Sequence, residues 1–72
     1  MNAIDPLEVL KAFARTSGSF AVFFKDGRAL AVRGPVRERD YPFLLELAEE
    51  GTRNLGIPVR VLHVSPTETR VL

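Results

Sequence analysis

Ser19-Phe20-Ala21-Val22-Phe23-Phe24-Lys25-Asp26-Gly27-Arg28-Ala29-Leu30-Ala31-Val32-Arg33 is the stretch that decides the fold. Two apolar runs flank Asp26-Gly27, a pair suited to a two-residue hairpin loop in which both positions take positive φ. With those two residues as the loop, Lys25 faces Arg28, Phe24 faces Ala29, Phe23 faces Leu30, Val22 faces Ala31 and Ala21 faces Val32. Opposed residues share a face of the sheet. One face then carries Phe20, Val22, Phe24, Ala29 and Ala31, and the other carries Ala21, Phe23, Leu30 and Val32. A half-exposed antiparallel sheet alternates apolar with polar residues. This hairpin is apolar on both faces.

Before the hairpin, the signals are helical. Asp5 suits an N-cap, Pro6 the first helical position and Glu8 the capping-box position. Ile4 and Val9 hold the two ends of a hydrophobic staple. Leu7, Leu10, Phe13 and Ala14 recur at helical spacing. Thr16-Ser17-Gly18 ends the helix, with Gly18 expected in the left-handed cap. The Ser17-Gly18-Ser19 run reads as cap and turn, since it has none of the strand and helix context of a nucleophile elbow.

After the hairpin, Gly34-Pro35 breaks the strand, and Val36-Arg37-Glu38-Arg39 forms a short charged linker. Asp40 then caps a second helix. Tyr41, Leu44, Leu45, Ala48, Thr52 and Leu55 follow a helical stripe, with Phe43 and Leu47 extending it to a second side. Glu46, Glu49 and Glu50 supply a solvated face. Gly51 inside this pattern costs about 1 kcal/mol relative to Ala. Leu55 keeps the phase, so the helix is expected to continue and cap at Gly56. Val59 to Val64 reads as a third strand, with Val59, Val61 and His63 on one face and Arg60, Leu62 and Val64 on the other. Ser65-Pro66 interrupts it, and residues 67–72 alternate as a short terminal strand does.

The result is a single α+β domain over residues 1–72, ordered helix, strand, strand, helix, strand and a short last strand. Two helices are enough to cover one face of a small antiparallel sheet, which leaves apolar surface elsewhere. Exposed apolar surface of that kind marks an interface. The expectation is a homodimer, with Phe43, Leu47 and Val61 at its contact.

The bulk properties narrow the function further. Seventy-two residues without cysteine cannot lean on disulfides or thiolate metal sites. His63 is the only histidine and has no evident orienting carboxylate, so a catalytic role would need a site completed across a dimer. The expectation is a non-enzymatic protein with no cofactor. Net charge is +1, no apolar run approaches the roughly 18 residues of a membrane span, and no signal-peptide pattern opens the chain, which points to the cytoplasm. Eight of the ten basic residues are Arg, a bias expected of GC-rich coding and a thermophilic source. Around the hairpin, Lys25, Arg28, Arg33, Arg37 and Arg39 outnumber Asp26 and Glu38 five to two. Arg33, Arg37 and Arg39 are the candidates for phosphate contact if the chain instead binds nucleic acid. A strand length of about 17 Å separates them from Lys25 and Arg28.

The order of elements resembles the N-terminal part of the Roadblock/dynein-light-chain family. The residues that carry the resemblance are the strand Phe20 to Phe24, the Asp26-Gly27 turn and the strand Ala29 to Val32. The helix through Leu44-Leu45 and Leu47-Ala48 follows, then the exit Leu55-Gly56-Ile57 into Val59 to Val64. The family's pattern goes on to a final helix that these residues do not contain. The resemblance implies a small non-catalytic scaffold that dimerises through its second helix and adjoining strand.

Overall fold

The computed structural model describes residues 5–72. The elements are α1 (Pro6–Ser17), β1 (Phe20–Lys25), β2 (Arg28–Arg33), a 3-10 turn (Glu38–Asp40), α2 (Tyr41–Leu55), β3 (Val59–Val64) and β4 (Thr69–Val71). The strands form one sheet in the order β2-β1-β3-β4, with every neighbouring pair antiparallel. The α+β class and the element order are those expected from the sequence.

The hairpin turns where its residues dictate. Asp26 has φ 53° and Gly27 φ 76°, the paired positive values of the tight hairpin loop. Its register departs from the regular one. Lys25 pairs with Arg28 and Phe24 with Ala29, but Phe23 then pairs with Ala31, Val22 with Val32 and Ala21 with Arg33. Leu30 is the extra residue of a β-bulge. Beyond it, each β2 residue sits one place out of the expected pairing, and a shift of one reverses faces. Ala31 and Val32 therefore exchange the faces that an unbroken register assigns to them.

The helices also differ from expectation in placement. They lie on opposite faces of the sheet. Ala14 of α1 packs with Phe20, Val22 and Val64, while Leu44 and Ala48 of α2 pack with Ala21, Phe23, Val36 and Val61. Since successive strand residues point to opposite faces, these two clusters lie on either side of β1. Each face of β1 is thus covered by one helix, while β2 stays exposed.

Helix α1 starts as its sequence directs. The Asp5 carboxylate accepts from the Leu7 N–H at 3.0 Å, a cap worth about 1 kcal/mol. The Glu8 carboxylate, expected to complete a capping box, is bound to Lys11 Nζ at 2.9 Å. The staple partner Ile4 lies outside the described residues. Gly18 ends the helix at φ 87° and ψ 172°, positive in φ but extended rather than left-handed helical. Helix α2 runs to Leu55 and caps at Gly56 in the left-handed region, φ 69° and ψ 16°. Asp40 caps nothing in α2. Its carboxylate accepts from the Arg37 N–H at 2.9 Å and closes a 3-10 turn within the stretch expected to be a charged linker and helix cap.

Helix α2 is tied to β3 by more than burial. Gly51 faces Val59, and a Cβ on Gly51 would stand 3.3 Å from Val59 Cγ2. The glycine that weakens the helix locally thus lets it lie close on the strand. The adjacent Thr52 hydroxyl donates to Ala48 C=O and accepts from Val59 N–H, both at 2.9 Å. That strut satisfies the first N–H of β3 and ties the start of the strand to α2. Beyond β3, the Ser65–Glu68 turn closes with a 2.9 Å backbone bond, and Leu72 N–H extends the β4 pairing onto Val61 C=O at 3.0 Å.

Candidate functional site

Strand β2 is the outer strand on one side of the sheet, and all six of its residues are exposed. Four of them, Ala29, Leu30, Ala31 and Val32, are apolar and consecutive. Val32 is 64% exposed and Leu30 48%. An edge strand presents a row of unpaired N–H and C=O groups along its free side, so β2 offers backbone and apolar side chains together.

Both helices leave open ground beside this strand. On the α1 side, Leu7, Leu10, Val22, Phe24, Ala29 and Val32 border a hollow of about 690 Å³. It adjoins a second of about 530 Å³ beneath Phe13 and Pro35. Phe13 is 60% exposed and Leu7 41%. The α1 stripe is therefore only partly used, and Ala14 is its one buried member. On the α2 side a smaller hollow of about 230 Å³ lies among Phe23, Leu30, Ala31, Leu47, Leu55 and Val59. The bulge makes this possible, because it aims Leu30 and Ala31 to the same face. An apolar band thus wraps the β2 edge on both sides of the sheet. Its β2 portion was visible in the sequence as an unbroken apolar strand. Its helical portion was not, because the pattern does not tell a stripe that packs from one that waits.

The three residues expected at a self-association contact are separated by the structure. Val61 is fully buried in the α2-side core and offers nothing to a second chain. The strand that carries it, β3, is paired on both sides. Leu47 is half-buried against the same core. Phe43 is 47% exposed, with the Arg33 guanidinium 5.0 Å above its ring.

The basic residues fall as the strand length requires. Lys25 and Arg28 flank the turn, and Arg33 ends β2. Arg37 and Arg39 follow on the exposed linker and 3-10 turn. The ion pairs present join Glu8 to Lys11 and Glu68 to Arg70. None of these five basic residues enters one among the described residues. The Glu68 carboxylate, with Tyr41 adding less, raises the Arg70 guanidinium above its ordinary pKa.

His63 lies on the α2 face of β3. Its Nδ1 is hydrogen-bonded to the Tyr41 hydroxyl, and the two rings meet edge to face at 5.3 Å between centroids. Among the described residues its buried Nε2 has no hydrogen-bond partner. The Tyr41–His63 pair joins the start of α2 to β3, a contact that needed the two elements docked before it could be read. Among the described residues no group of three or more His, Cys, Asp or Glu side chains is placed to hold a metal ion, and no helix is long and apolar enough to cross a membrane. The carboxylates of Glu46, Glu49 and Glu50 are exposed along the outer face of α2.

No protein family, curated protein or solved structure matches the chain.

Proposed function

We propose that this chain is a non-catalytic protein-interaction module and that its docking surface is the β2 edge with the apolar band around it. The observation that carries the reading is β2 itself, four consecutive apolar residues on a strand exposed along its whole length. Large exposed apolar patches mark interaction sites, and strand addition to an open sheet edge is a common way for small domains to hold a partner. The resemblance of the element order to the Roadblock/dynein-light-chain family is in line with a scaffold role.

The reading moves the contact away from α2 and β3. It leaves Phe43 at the border of the surface, through Arg33, and removes Val61 from it. Self-association through this surface is a separate outcome that the mass in solution reports.

The test separates docking from folding. Leu30→Glu and Val32→Glu should unfold at nearly the wild-type urea concentration, within about 0.5 kcal/mol, as exposed substitutions do. Concentration-dependent mass in light scattering, if the wild type shows it, should disappear in both variants. A loss above about 2 kcal/mol in either variant would show that β2's apolar side chains serve the fold, and the docking reading would fall.

A further inference from the structure

Resting on that docking reading, we infer that the partner at β2 is an extended segment of another protein, apolar at its centre and acidic at both ends. The charges on either side of the apolar run select it. Arg28 and Arg33 bracket Ala29 to Val32 and stand about 17 Å apart along the strand. Among the described residues neither is in an ion pair. Lys25, paired with Arg28 across the hairpin, adds positive charge at the turn, where Asp26 offsets one of the two. Arg33 is held at the other end by the Phe43 ring, 5.0 Å from its centroid, with Arg37 and Arg39 close behind it in sequence.

This arrangement fits a strand better than it fits the alternatives. Two basic groups a strand apart, with apolar side chains between them, match a segment of five or so residues whose flanks are Asp or Glu. Opposite charges across a strand pair are favourable, and like charges directly opposed are destabilising. A second copy of this chain meets that penalty. Antiparallel alignment of Ala29 to Val32 with itself sets Arg28 of each copy against Arg33 of the other. It also brings two bulges into one interface, and bulges interrupt regular edge pairing. The grooves on both faces suit a strand whose side chains point alternately to each. β-Branched residues fill such positions best.

Two peptides test the inference on the whole chain, Glu-Glu-Val-Thr-Val-Thr-Val-Glu-Glu and the same core with Lys at the four flanking places. They are titrated into ¹⁵N-labelled protein. The acidic peptide should shift the amide signals of Ala29 to Val32 and bind about tenfold more tightly than the basic one, given several exposed charge pairs. That advantage should shrink as salt is raised. The Arg28→Glu/Arg33→Glu variant should reverse the preference. Should that variant fail to fold, Arg28→Gln should narrow it. Equal binding of both peptides at β2 overturns the acidic selection and leaves the docking surface standing. Shifts confined to Thr69–Val71 of β4 overturn the choice of edge. If neither peptide binds and the mass doubles with concentration, the occupant is a second copy and the inference fails. If neither binds and the chain stays monomeric, the inference and the docking reading fall together.

Discussion

β1 and β2 are the two arms of one hairpin, equal in length and both largely apolar, yet they meet opposite fates. Phe20, Ala21, Val22 and Phe23 of β1 are buried, while no residue of β2 is. The sharpest instance is a directly opposed pair, Val22 at 1% exposure and Val32 at 64%. Side-chain chemistry does not separate them. Position in the sheet does. Helix α2 carries the chain across and delivers β3 against β1, so β1 is enclosed between two strands and two helices, while among the described residues β2 keeps a free edge. An apolar strand is therefore a statement about what it will touch, within the chain or outside it.

That contrast can be broken by substitution. Phe23→Ala should have the largest effect, a loss of about 3–5 kcal/mol in urea unfolding, because it empties the α2-side core. For a domain of this size that approaches the whole stability, so a variant still folded with near-native stability would contradict the central place given to β1. Val22→Ala should cost about 2–3 kcal/mol, from two lost methyl groups and the space they leave. Thr52→Val should cost about 1–2 kcal/mol, since it strips the Val59 N–H of its partner. Its amide exchange should quicken first at the start of β3, where the strut acts. If exchange quickens only in β2, the strut does not hold the start of β3. Val32→Ala should be the smallest, under about 0.5 kcal/mol. A cost for Val32→Ala equal to that of Val22→Ala would mean that β2 is covered in solution, and the comparison would then report a partner already in place.

Most of the fold was legible because its signals are local. Asp26-Gly27 fixed the turn, Asp5 and Pro6 the start of α1, and Gly56 the end of α2. Each depends on backbone geometry within a few residues. The features that escaped depend on contacts distant in sequence. Leu30 is an ordinary strand residue by composition, and its role as a bulge is set by how β2 twists onto β1. The helices' placement on opposite faces of β1 rests on contacts between elements distant in sequence, which no turn dictates. Val61 is buried where a surface contact is expected, because alternation gives a face and not its cover. The candidate site was half legible. The arginines and the apolar run of β2 are plain in sequence, whereas the idle side of α1, with Phe13 and Leu7 exposed, emerges only when the docked side is seen to be Ala14 with Leu10 partly buried beside it.

The bulge at Leu30 gives this edge a kind of adjustable thread. Removing that one residue would restore unbroken pairing between β1 and β2. The added slack is confined to the outer strand, so β1 need not move. Deleting the Leu30 codon would keep Ala31 opposite Phe23 and Val32 opposite Val22 and take Leu30 alone from the α2-side hollow. Descendants of the sequence could then change what they hold on to without first rebuilding what holds them together.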